Sequence, residues 1–334
     1  MKRWLAALAV VVAVPAAVPA AAQQKGPSFD CAKAQGAIDK AICKDADLSK
    51  ADRALVAAYT ALLDRLKGAE RESVVKAQGR WVASRNRVCQ QREADGVVDC
   101  LKGRYAQRTA TLQAMAQAPF AMIDELTLTA TGRFGQVGWS YDIVFPRFEA
   151  KGVDFAAVNT RYANDALKSA QEATPSDLSD VDDDRTWDYQ SAFGVERAPG
   201  GAVAAVTVQF YGYSGGAHGY GATVCSAVDL RSGRFVTPAG VFAGDQWPRT
   251  LYQLVVADLR RQFKEREGDE ESLKPEAMNK MLRETARYCW RPKHLEVVFN
   301  QYDVGSYAAG PYFVEIAYDR LKPILRPDGP IALR

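Results

Sequence analysis

Four cysteines within the first hundred residues, Cys31, Cys43, Cys89 and Cys100, sit in a stretch of unbroken helical periodicity. Covalent cross-links plus a 3.6-residue apolar repeat predict a small stapled helical unit. Leu48, Ala51, Leu55, Tyr59, Leu62 and Leu66 recur at steps of three and four and mark one buried stripe. Ser49 with Asp52 is read as the capping box that starts this helix. A second helix follows Gly68 and carries Val74, Gln78, Trp81, Arg85 and Val88 on one side. A third runs from about Cys100 to Gln117, and the segment from Cys31 to Cys43 supplies a fourth piece. Antiparallel packing of the helices over 49–67 and 70–88 brings Cys89 beside Cys43. That favours Cys43–Cys89 with Cys31–Cys100 among the three connectivities four cysteines allow. A bond closing such a loop of about 46 residues contributes about 4 kcal/mol in the chain-entropy model.

The chain opens like an export signal, with Lys2 and Arg3 before the apolar run from Trp4 to Val14 and small residues at Ala20-Ala21-Ala22. Residues 1–22 are therefore expected to be removed, and the mature chain to reside in a bacterial periplasm or outside the cell. No later stretch reaches the ~18 to 20 apolar residues a membrane helix needs. Cys225 and Cys289 complete an even number in each half of the chain, so disulfides are expected for all six cysteines. The chain has only His218 and His294 and no Cys-x-x-Cys, so neither a metal nor another cofactor is expected.

At Ala116 to Pro119 the helical pattern breaks, and β-type segments begin at Ile123, which places a domain boundary near residue 118. The expected fold class is a small all-α disulfide-bonded helical domain, residues 23–118, followed by an α+β domain with antiparallel sheet, residues 119–334. Strands are read at Val137 to Phe148, Ala202 to Tyr213, Ala222 to Leu230, Leu295 to Asn300 and Tyr312 to Tyr318. Helices are read at Asp154 to Glu172, Trp247 to Glu267 and Lys274 to Arg287. The first domain carries a net charge of +6 and the second −5. A mildly acidic second half is permissive for a basic partner, and an exported chain of near-zero net charge is not expected to bind nucleic acid.

Two resemblances rest on specific residues. Phe29-Asp30-Cys31, Ile42-Cys43, Trp81-Val82 with Arg85 and Cys89, and Cys100-Leu101 with Tyr105 and Arg108 resemble the LprI-type lysozyme-inhibitor domain over about residues 28–115. The run Tyr211-Gly212-Tyr213-Ser214-Gly215-Gly216-Ala217-His218-Gly219-Tyr220-Gly221, then Asp229-Leu230-Arg231-Ser232-Gly233, Tyr302 and Tyr307-Ala308-Ala309-Gly310-Pro311 form a second pattern. It is similar to the extracellular domain of RsiV-type anti-sigma factors and PdaC-type deacetylases, over about residues 122–325. The first resemblance implies a lysozyme-type muramidase as partner, and the RsiV branch of the second implies the same one. No membrane span, cytosolic segment or appended catalytic domain is read from the chain, so signalling to a sigma factor and deacetylation are not expected of it.

The glycines between 212 and 221 permit positive φ and close backbone approach, so this loop suits insertion into a cleft. Tyr213, Ser214, Gly215, Gly216, His218 and Tyr220, with Tyr307, Gly310 and Tyr312, are the candidate partner-binding residues, the tyrosines being read as exposed interface anchors. The competing structural reading makes the glycines a long hairpin turn and the tyrosines caps on the core. Gly212-Tyr213-Ser214-Gly215-Gly216 also fits Gly-x-Ser-x-Gly, but a nucleophile elbow needs a strand-to-helix turn that this segment does not start. No catalytic residue is expected, and His218 is read as a donor that fixes the loop. Asp182-Asp183-Asp184, with Asp177, Asp180 and Asp188, lacks the spacing of a helix-loop-helix calcium site and is read as a solvated acidic loop. Asp52 and Arg85 are read as a buried ion pair, and Trp81 and Tyr59 as core. Arg80, Arg85, Arg87 and Arg92 read as a solvated basic face. The alternative partner is peptidoglycan, held by the same aromatic loops and this basic face.

Overall fold

A computed structural model describes residues 26–90, 96–176, 186–331 and 333. The expected signal segment, Arg92 and the acidic positions Asp177, Asp180 and Asp182 to Asp184 lie outside the described residues. Four helices come first: α1 (Ala37–Lys44), α2 (Ala46–Leu63), α3 (Gly68–Gln90) and α4 (Gly96–Met115). A six-stranded sheet follows in the order β1 (Met122–Phe134), β2 (Val137–Glu149), β3 (Trp187–Arg197), β4 (Val203–Tyr213), β5 (Tyr220–Asp229) and β6 (Arg234–Phe235). Every pairing is antiparallel except β2 with β3, which the crossover helix α5 (Ala156–Glu172) joins in parallel. After α6 (Pro238–Val241), α7 (Trp247–Gln262) and α8 (Pro275–Met281) comes a second antiparallel sheet of β7 (Tyr288–Trp290), β8 (His294–Phe299) and β9 (Tyr312–Ala317), then α9 (Tyr318–Leu321). The chain is thus a helical region with two disulfides followed by an α+β region rich in antiparallel sheet.

The first helices end and start differently from the sequence reading. Asp45, not Ser49, caps α2, accepting from Leu48 N at 2.8 Å; Ser49 lies one turn in and donates its hydroxyl to Ile42 O. Asp45 is at once the C-cap of α1 and the N-cap of α2, so the second helix starts one turn earlier. The disulfide pairing is also corrected: Cys31 bonds Cys43 and Cys89 bonds Cys100, with Cα atoms 5.9 and 5.6 Å apart. Each bond staples one local reversal, a 3₁₀ turn at Cys31–Lys33 onto α1 and the end of α3 onto the start of α4. Closing 12 and 11 residues, each contributes about 3 kcal/mol in the chain-entropy model. Cys225 on β5 bonds Cys289 on β7 and joins the two sheets.

Several residues that carry the first sequence pattern are interior ones. Trp81 and Tyr105 are essentially fully buried and meet edge to face at 5.8 Å. Asp52 and Arg85 are both buried, yet they meet through a third group rather than as a direct pair: the Tyr105 hydroxyl donates to Asp52 at 2.9 Å and accepts from Arg85 at 2.7 Å. Burial raises the Tyr105 phenol pKa, with Arg85 opposing and Asp52 adding to the shift. The basic face is not a free one. Arg80 pairs with Asp124, Arg87 lies 3.7 Å from Asp142, and Arg85 is internal.

One apolar core continues from the helices into the sheet, from Ile38, Leu48 and Trp81 through Leu112 and Met115 to Val144, Phe193 and Val206. Polar bonds secure the same seam: Arg104 on α4 pairs with Glu125 on β1 at 2.5 Å, both about 5 % exposed. Arg197 on β3 donates to Ala114 O and Pro119 O, each at 2.8 Å. A second core joins α7 and α8 to the three-stranded sheet and the far end of β4 and β5.

Candidate functional site

Strands β4 and β5 form a hairpin whose tip is the glycine-rich loop over residues 214–219. Gly215 and Gly216 have φ of 90° and 88°, values that side-chain-bearing residues rarely adopt. Two further glycines make room for rings. The Tyr220 ring lies across Gly212, its cross-strand partner, and the Tyr211 ring lies against Gly219; a Cβ at either position would meet the ring below 3.0 Å. The alternation of Tyr and Gly therefore lays both rings along the strands, and each stays about 40 % exposed. Tyr213 donates its hydroxyl to Gly216 O at 3.0 Å and holds the turn.

The second loop, over residues 300–311 between β8 and β9, reaches the same tip. Asn300 brackets Thr223 on β5, accepting from its N at 2.8 Å and donating to its O at 3.2 Å. Asp303 pairs with Arg287 at 2.5 Å. Tyr307 donates to Gly219 O at 2.9 Å and its ring stacks on His218 with centroids 3.8 Å apart. His218 Nδ1 lies 2.8 Å from the same carbonyl, so this nitrogen donates, and Nε2 faces the Tyr302 hydroxyl at 3.4 Å. Tyr302 is 66 % exposed and, among the described residues, is the one non-glycine with positive φ, at 69°. The structure thus gathers Tyr213, Ser214, Gly215, Gly216, His218, Tyr220 and Tyr307 at one tip, and it adds Tyr211 and Tyr302.

Tyr312 is a correction. It is fully buried on β9, donates its hydroxyl to Glu267 O, and lies under Arg266, whose guanidinium is 3.5 Å from the ring centroid. Strand alternation is the reason: Tyr312, Val314 and Ile316 face inward, while Phe313, Glu315 and Ala317 face out. Gly310, with φ 72°, turns the chain into that strand.

The tip offers rings, hydroxyls and backbone groups for contact. Burial and nearby Glu172 and Asp188 raise the Tyr220 phenol, and burial with Asp188 and Tyr307 raises that of Tyr211, so both rings stay neutral donors at physiological pH. Ser214 lies in a strand-to-strand turn, and the His218 ring nitrogens are directed at Gly219 O and Tyr302. Among the described residues, His294, Glu296 and Glu315 bring potential metal ligands within 4.8 Å of one another. Arg291 already holds Glu296 at 2.5 Å, and its positive charge opposes a cation there. A cavity of about 450 Å³ lies between α5 and the face of β2 to β5, with Ile143, Val208, Phe210 and Trp290 in its walls; its Tyr162 and Ser226 hydroxyls bond each other at 2.7 Å.

The helical frame with its two local disulfides corresponds to a known family. Residues 31–118 match the family model described as Lysozyme inhibitor LprI. A second match, described as Protein of unknown function (DUF3298), covers residues 241–319 and includes Tyr302, Tyr307 and Gly310 of the tip. The chain therefore carries an LprI-type region followed by a DUF3298 region. Two solved structures of DUF3298 family proteins are similar to it. One, from Bacteroides fragilis, is 16 % identical, with 63 % of this chain and 94 % of that one covered and a TM-score of 0.42. The other, from Pseudomonas aeruginosa, is 15 % identical, with 64 % and 97 % covered and a TM-score of 0.43. No curated protein matches the chain. In the LprI-type region Trp81, Arg85, Tyr105 and Arg108 are all buried.

Proposed function

We propose that this chain is an exported binding protein that holds lysozyme-type muramidases and inhibits them by covering their substrate cleft, with no chemistry of its own. The observation that carries the reading is the match of residues 31–118 to the Lysozyme inhibitor LprI family. Three disulfides with no free cysteine fit an oxidising compartment, the bacterial periplasm or the exterior, with residues 1–22 as the leader and the two domains meeting near residue 118.

Contact is assigned to the aromatic tip: Tyr213, Ser214, Gly215, Gly216, His218, Tyr220 and Tyr307, supported by Gly310 and joined by Tyr211 and Tyr302. Rigid, half-exposed tyrosines are the residue type that dominates interface energetics, and a specific interface needs at least ~1,000 Å². Tyr211 also borders α4 of the LprI-type region, so a partner seated on the tip meets both halves of the chain. Acidic neighbours at Glu172 and Asp188 favour a basic partner.

The test is calorimetric titration of residues 23–334 with a c-type lysozyme alongside a turbidity assay of cell-wall lysis. Binding with slowed lysis is expected, and the double change Tyr220→Ala with Tyr307→Ala is expected to weaken it at least about tenfold. No heat and no inhibition against c-type, g-type and bacterial muramidases would end the reading.

A further inference from the structure

The cavity of about 450 Å³ beside α5 has no part in the muramidase contact, since none of the residues assigned to that contact lines it. It exists because α5 packs over β2 while the 3₁₀ turn Thr285–Arg287 packs against β5, which leaves the sheet between them uncovered. Strand alternation supplies the floor: Val208 and Phe210 on β4 and Val224 on β5 share this face, and Val208 and Val224 are cross-strand partners. Val208 and Phe210 are half-buried and Val224 is 37 % exposed, so the fold leaves apolar side chains open at a concave place.

The polar atoms of the walls are already used. Tyr162 and Ser226 bond each other at 2.7 Å, Tyr189 donates to Ser169 at 3.4 Å, and Tyr288 donates to Leu282 O. Ser191 accepts from Val144 N at 3.2 Å and donates to its O at 3.4 Å. Burial raises the phenols of Tyr162, Tyr189 and Tyr288, so they stay uncharged. The charged residues on the border, Arg161 and Asp165, are exposed and pair with each other at 2.8 Å. An interior with its hydroxyls paired and a border without net charge suits an apolar body with a neutral polar end.

We infer that this cavity binds a free single-chain lipid, with its acyl chain inside and a head without net charge at the Arg161–Asp165 border. Volume decides between occupants. At about 30 Å³ for each water-sized group, 450 Å³ holds about 15 of them, which is one acyl chain and too little for two. A protein helix, about 10 Å across, would fill the same space within about one turn, so the cavity is too small to seat a helix of a partner.

The probes are monooctanoin, monodecanoin and monolaurin, neutral single-chain lipids titrated calorimetrically into residues 23–334 with no muramidase present. Monolaurin is expected to bind one per chain with Kd below about 10 μM, and affinity is expected to rise about fourfold for each methylene along the series. Val208→Trp and Val224→Trp each place a ring in the cavity from a strand position that borders open space, and tryptophan suits a strand. Each is expected to weaken monolaurin at least about tenfold with an unchanged melting temperature, so either variant suffices if the other fails to fold. Three results overturn the inference: no saturable binding of monolaurin, an affinity that is flat along the series, or full affinity in a folded tryptophan variant. Cosedimentation of the protein with dioleoylphosphatidylcholine vesicles also overturns it, because the exposed apolar face would then be a seat on a bilayer rather than a pocket for a free lipid.

Discussion

Tyr302 holds a left-handed backbone conformation at φ 69°, which costs a residue with a Cβ about 1–2 kcal/mol. The loop maintains it because Asn300 and Asp303 are pinned on either side, to Thr223 and Arg287. The strain presents a ring to solvent instead of burying it, which suits the contact role proposed for it. Tyr302→Gly is therefore expected to raise unfolding free energy by about 1 kcal/mol in denaturant titration while weakening muramidase binding about tenfold. Tyr302→Ala should weaken binding with no gain in stability. A glycine variant that loses stability and keeps full affinity would make Tyr302 a structural residue. At this scale much was legible: the Tyr and Gly alternation of 211–221 announced a hairpin and its rings. Tyr312 misled because its neighbours Tyr307 and Gly310 do belong to the tip, whereas Glu315, which must face water, sets the parity of β9 and turns Tyr312 inward. Tyr302 belongs to the second sequence pattern but was not read as a contact residue, since its exposure depends on partners far away in the chain.

Among the elements, α4 has the most demanding sequence, for it buries Arg104 and Arg108 between helices and sheet. Burial lowers the Arg108 pKa to about 10, opposed by Glu125 and Asp124, which shows how closely β1 carboxylates approach this helix. Removing one partner of a buried pair leaves the other uncompensated, so Glu125→Gln is expected to cost about 3–5 kcal/mol in urea unfolding. Arg104→Met combined with Glu125→Leu should recover most of that loss, because an apolar pair of similar volume avoids the desolvation cost. If the single and double variants were equally unstable, packing and not charge would be what the pair supplies. The helices themselves were readable from their apolar stripes, and so was the hairpin. The bonding of the cysteines was not, because it depends on how close the end of α3 lies to the start of α4, which the pattern of neither helix shows. β3 also escapes a sequence reading: its alternation is diluted by Asp188, Gln190 and Gly194, and Gly194 is where Gln107 of α4 packs.

For the molecule as a whole, the composition shift at residue 118 marks a change of secondary structure but no gap in packing, since the core that starts at Ile38 ends at Leu230. A seam with continuous apolar contact, Arg104–Glu125 and the Arg197 bonds should unfold with the elements it joins. Buried tyrosines report on this, because Tyr105 lies in the helical region and Tyr162, Tyr288 and Tyr318 lie beyond it. Desolvation raises the pKa of all four above the ordinary value of 10.0. Such a phenol keeps its proton in the fold after the unfolded chain has released it, so stability falls as pH rises from about 10 toward the folded values. Exposed phenols should ionise first, without structural loss. The four buried ones should follow at higher pH in a single step, seen together as phenolate absorbance and as loss of helical and sheet circular dichroism. Two separated steps, with helical signal lost in the first, would mean that the LprI-type region unfolds on its own. A single step would make the helices and the tip parts of one cooperative unit, in which a partner on the tip stabilises both.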